Sequence, residues 1–280
     1  MTGAARDSAP PGARHGSAAR RIWGLMYRHL ALYRRSWPRL LELMYWPVLQ
    51  MIVWGFVTAY LAGVQGDGAS IAAGVLLGGV LLWEITLRAQ MGFAISFLEE
   101  VWSRNLGHLF VSPLRPWELV AGLAAMSVLR TLVGVGAAMT LAFLLYGFGI
   151  WRLGPVLVLY LAALMAMGWS VALAVTALIL RHGAGAEALA WGVMFGIAPF
   201  AAVFYPVAVL PAWLQPVALA IPAAHVFEGM RAALLHGVVA WDHLAWAVLL
   251  NGVWLAGAAW IFLAQFQVAR ERGALLNIGE

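Results

Sequence analysis

GPVLVLYLAALMAMGWSVALAVTALIL, residues 154–180, runs for twenty-seven positions without a charged side chain. A helix needs about 20 apolar residues to cross the hydrocarbon core of a bilayer, so this stretch is long enough to span. Its apolar residues are continuous rather than alternating, which selects a helix over a barrel strand. A helix also satisfies its own backbone polar groups where no water is present. Five further segments read the same way: 40–62, with Trp46-Pro47 near its inner end, then 69–97, 119–148, 188–207 and 244–266. The 188–207 segment is marginal, being broken by Pro199 and Pro206. The expected fold is an all-α polytopic membrane protein with six transmembrane helices.

Composition agrees. Hydrophobic residues make up 64% and charged residues 10%, against roughly a half and a quarter in soluble domains. All seventeen basic residues are Arg. The phosphate loop GxxxxGK[ST] needs a Lys, so this chain cannot carry that site. Without cysteine there is no disulfide, thiolate nucleophile or Cys-based metal site. A pI of about 10.1 beside membrane spans reflects orientation and anionic lipid rather than nucleic acid.

Residues 1–17 lack the apolar core of a signal peptide and are expected to form a disordered cytoplasmic tail. From 18 to 39 the pattern is amphipathic. Ile22, Met26, Leu30, Tyr33 and Trp37 share one helical face, while Arg21, Arg28 and Arg35 recur every seventh residue on the opposite one. An Arg-rich face against an aromatic one predicts an interfacial helix lying among membrane lipid headgroups. Arg bias then fixes orientation. With both termini inside, thirteen of the seventeen Arg are cytoplasmic and only Arg152 and Arg231 lie outside. Residues 18–272 read as one domain, with 273–280 a second cytoplasmic tail.

Residues 210–237 carry Pro211, Pro216 and Pro222. They are too broken to span and too apolar for a free loop. Two short outer re-entrant helices, 212–220 and 223–235, fit, provided they are buried in protein or line a cavity. On the second, His225, Glu228 and Arg231 recur every third residue. That spacing suits a Glu–Arg lock, half of a metal site or a polar lining for a substrate path, and zinc would need further ligands. Within the spans, Glu84 and Arg88 can pair across one turn. Arg130 needs a partner at membrane depth, and Glu84 on the neighbouring helix is the candidate.

One polar elbow separates the second and third spans. It begins Glu99-Glu100-Val101-Trp102-Ser103-Arg104-Asn105 and ends Ser112-Pro113-Leu114-Arg115-Pro116. EExxxR also occurs in CAAX-type intramembrane proteases. That chemistry requires downstream His in patterns such as FxxxH or HxxxN, and none of the seven His fits.

The elbow instead resembles the corresponding loop of bacterial type-2 ABC exporter permeases, E-x-x-x-G-T-L-E-x-L-x-x-[ST]-P-L-x-P-x-E-x-x-x-G. The chain carries Leu106, Leu109, Ser112-Pro113-Leu114, Pro116, Glu118 and Gly122 in that order. It has Arg104 where the pattern has Gly, and Gly107 where Glu is frequent. Before the last span, Leu210-Pro211-Ala212-Trp213-Leu214, Pro222, Glu228 and Arg231 resemble L-P-x-W-L…P…E-x-x-R. The resemblance covers roughly residues 20–272.

It implies the membrane subunit of a two-component exporter in the bacterial inner membrane. A cytoplasmic ABC ATPase partner would bind ATP and Mg, and a second permease copy, identical or not, would complete the path. This chain would carry no cofactor and catalyse nothing. The elbow becomes a coupling helix seated on the ATPase. Leu106, Leu109 and Phe110 would supply apolar contact, Glu99, Glu100 and Arg104 the register, and Pro113 and Pro116 stiffness. His108, Ser112 and Arg115 complete that surface. An ATP-independent lipid scramblase is the remaining alternative class. The family's cargoes include polysaccharides, glycolipids, drugs and peptides, and the 15 Trp do not choose among them.

Overall fold

A computed structural model describes residues 17–34, 36–65, 69–107, 112 and 114–271. Nine α-helices and no strands occur among them. They are α1 (Ala18–Arg34), α2 (Trp37–Gln65), α3 (Ala69–Trp102), α4 (Pro116–Tyr146), α5 (Val156–His182), α6 (Glu187–Ile197), α7 (Gln215–Leu219), α8 (Pro222–His236) and α9 (Trp241–Glu271). Among the described residues four helical stretches are long and apolar enough to cross a membrane: Trp37–Leu61, Pro116–Tyr146, Val156–His182 and Trp241–Glu271.

α3 is the central post. Its buried face, from Leu77 through Phe93 and Phe97 to Val101, meets α4 and α5, and α5 in turn carries α9. α2 lies against α4 and α3. Small residues permit the closest approaches. A Cβ added to Gly168 of α5 would sit 2.7 Å from the Thr86 carbonyl oxygen of α3, so any larger residue would push the two helices apart. Pro47 lies inside α2 and cannot donate to the Leu43 carbonyl one turn earlier. That oxygen lies 2.6 Å from where a Gly134 Cβ would be, so the α4 backbone closes over it.

The fifth expected span is corrected. α6 has 11 residues and stops at Ile197, about 16 Å of helix. Turns follow through 206, then a short 3-10 helix, Val207–Val209. Pro199 is the local cause: Ala198 before it is still helical at φ −51° and ψ −44°, but the proline brings no N–H to continue the ladder. The turn is buried nonetheless, with Ala201, Ala202 and Val203 at 0%, 0% and 1% exposure. The two short helices expected after Leu210 are present as α7 and α8. The latter opens on Pro222 and closes on Gly237 at φ 66°.

The expected helix over 18–39 ends at Arg34, and Trp37 starts α2, 71% exposed. Its orientation is also corrected. α1 buries Leu25, His29 and Tyr33, and it turns Arg21 and Arg28 toward the protein. Trp23 and Tyr27 face away at 57% and 62% exposure. The docking side thus combines Arg21 and Arg28 with Tyr33 of the expected apolar face. Arg35 lies outside the described residues.

Candidate functional site: the elbow and its charged junction

α3 ends by closing on itself. The Ser103, Arg104 and Asn105 amides donate to the carbonyls of Glu99, Val101 and Glu100 at 3.1, 2.9 and 3.0 Å. This reversal needs a left-handed residue, and Arg104 supplies it at φ 51°. The position where the exporter pattern has Gly is thus the one whose backbone favours Gly. α4 begins across the elbow on Pro116. Glu118 caps it by accepting the Arg115 amide at 3.0 Å.

Three carboxylates then bind the elbow to its neighbours. Glu118, fully buried, accepts Arg21 Nε at 2.8 Å and Nη2 at 2.5 Å. Glu100, 1% exposed, accepts from Arg28 and, at 2.7 Å, from Asn105 Nδ2. Glu99 accepts Arg130 Nη2 at 3.1 Å and faces Arg39 Nη1 at 3.5 Å. His29, 1% exposed, stands between, its Nδ1 3.1 Å from Glu99 and its Nε2 3.3 Å from Glu100. Arg130 also donates to the Gly92 carbonyl at 3.3 Å and lies over the Tyr33 ring at 4.9 Å. Buried charges persist only when paired and hydrogen-bonded, and here cations of α1, α2 and α4 meet carboxylates at the ends of α3 and α4.

Several expected roles change accordingly. Glu100 and Leu106, at 1% and 2% exposure, point inward and cannot meet a partner protein. Arg130 pairs with Glu99, not Glu84. Glu84 and Arg88 do pair with each other at 3.3 Å. Arg104, Ser112 and Arg115 are exposed. His108, Leu109, Phe110 and Pro113 lie outside the described residues. Sequence reasoning missed His29 and left Glu118 without a role. The available signal was three carboxylates crowded at helix ends with no basic residue of their own helix to face.

The His225, Glu228 and Arg231 group divides. Arg231 pairs with Glu228 at 3.0 Å and donates to the Ala202 carbonyl at 2.9 Å. Glu228 accepts the Val207 amide at 2.6 Å. The pair therefore clamps both ends of the turn after α6, including Ala202 at a left-handed φ of 54°. His225 turns the other way. Its Nδ1 is 3.1 Å from Nδ1 of His243 on α9, and its Nε2 is 2.9 Å from the Leu219 carbonyl.

Among curated proteins, none matches the chain significantly. The model of the ABC-2 type transporter family does match, over residues 20–235. That range runs from α1 through the elbow to α8. The chain belongs to this family and is a multi-pass membrane permease component of an ABC transporter.

Proposed function

Within that family, we propose that this chain is the export permease of a two-component system, moved by a separate cytoplasmic ATPase that binds ATP and Mg. Its termini lie in the cytoplasm of a bacterial cell and its spans in the inner membrane. α3 serves as a further crossing, and α6 with its buried turn forms a broken fifth passage, before α9. α7 and α8 are the outer re-entrant pair. A second copy or a close relative completes the path.

One observation carries the coupling role. Ion pairs at the helix ends that flank the elbow tie α1 to α3 and to α4, and α4 to α3. A push on 103–115 therefore moves three helices as one body, because separating them would strand charge in a water-poor junction. α3 passes that displacement to α5 through the Gly168 contact.

The test is ATPase association. Replacing Leu109 and Phe110 together with Asp is expected to abolish co-purification of the ATPase while membrane insertion stays normal. Undiminished co-purification removes the elbow from this role.

A further inference from the structure

A cavity of about 220 Å³ opens along α3 from Arg88 to Trp102, walled by α2, by Tyr33 of α1, by Arg130 of α4 and by Trp191 of α6. Three guanidiniums line it, Arg39, Arg88 and Arg130, together with three indoles, Trp46, Trp102 and Trp191. Arg88 and Glu99 are eleven residues apart on α3, about 16 Å along a helix, so the lining runs along about three turns of α3.

The guanidiniums have donors to spare. Arg130 is 4% exposed, and among the described residues its Nε has no partner. The pair between Arg88 and Glu84 uses only Nε. Among the described residues Arg39 makes one ion pair, to Glu99 at 3.5 Å, and Glu99 is already shared with Arg130 and His29. Glu42 also faces the cavity but is exposed, where solvent screens it. A buried guanidinium N–H without an acceptor is costly, and phosphate or carboxylate oxygens match its fork. The Trp surfaces suit an apolar body beside that headgroup.

We infer that this cavity binds an amphiphile through an anionic headgroup. As a statement about cargo, this rests on the permease reading above; as a statement about binding, it stands without it. Two sources share the chemistry, a lipid of the surrounding leaflet and an exported amphiphile.

The experiment titrates the purified full chain, in a neutral maltoside detergent, with dodecyl phosphate, followed by tryptophan fluorescence. A saturable response is expected, with none from inorganic phosphate or from dodecyltrimethylammonium. Arg39→Gln and Arg88→Gln are each expected to weaken binding at least about fivefold. Arg88→Gln strands Glu84 and can fail to fold, whereas Arg39 is 43% exposed, so its variant keeps the test decisive. Equal response to the cationic amphiphile, or unchanged affinity in folded Arg39→Gln, overturns the inference. In nanodiscs, competition by added phosphatidylglycerol assigns the site to bilayer lipid, and its absence assigns the site to cargo; either outcome requires the anion site. No ATPase is present, so failure here leaves the elbow's role intact, and failure of ATPase association leaves this site intact.

Discussion

Glu118 receives Arg21 through two donors of one guanidinium, at 2.8 and 2.5 Å, across a sequence separation of 97 residues. The same carboxylate holds the first amide of the elbow's exit. Arg21→Ala is therefore expected to loosen α1 and the start of α4 together. Hydrogen exchange over 18–34 and 115–119 should rise roughly tenfold, with α5 and α9 unchanged. Arg21→Lys should rescue only part of this, because an ammonium cannot make the bidentate fork. Loosening confined to α1 would show that Glu118 does not link the two.

Arg104 occupies a left-handed conformation that disfavours residues with a Cβ by roughly 1 kcal/mol. Arg104→Gly is expected to raise the melting temperature slightly, for a gain of up to about 1 kcal/mol. Arg104→Val should lower it, since β-branching makes the conformation worse. A thermal melt of the three proteins decides the order, and Gly ranking below Arg would refute it.

That position also shows what the sequence could and could not tell. An Arg in place of Gly reads as a change of charge at a docking surface; the backbone reason appears only once the reversal after Trp102 is seen. The continuous apolar runs were readable, as were the break at Pro199, the two short helices after Leu210 and the Glu228–Arg231 pair, because each follows from neighbours in sequence. The orientation of α1 was not. Periodicity separates Arg21 and Arg28 from Tyr33, but that all three meet protein depends on Glu118, Glu100 and Arg130, far along the chain. Arg130 eluded the sequence for the same reason, since its reach to Glu99 depends on how α4 is staggered along α3.

Removing Arg231 alone leaves Glu228, 21% exposed, without its cation and the Ala202 carbonyl without its donor. Arg231→Met is expected to cost about 3 kcal/mol. Glu228→Gln combined with Arg231→Met should cost less than the sum of the single changes. Urea or thermal unfolding of the four proteins measures the coupling, and strict additivity would show that the two side chains act independently.

Burial pushes the His225 imidazole below its ordinary range, and the adjacent His243 adds to this, while the Leu219 carbonyl works against it. Protonation is thus harder in the folded state than in the unfolded chain. The contribution to stability is whole above the ordinary value of 6.5 and is lost as pH falls from there toward the lowered folded value. Acidification to about pH 5 is expected to raise hydrogen exchange at the α8–α9 contact. His225→Gln should flatten that response. An equal acid response in the variant would rule His225 out as its origin.

The seating of α1 has a practical corollary for anyone preparing this protein. High salt, which strips peripheral helices held on by headgroup charge, should leave this one in place, because Arg21 and Arg28 hold on to the buried carboxylates of Glu118 and Glu100, and Leu25 and Tyr33 are packed against protein. What it will feel is the choice of surfactant, since Trp23 and Tyr27 are the groups it offers to its surroundings.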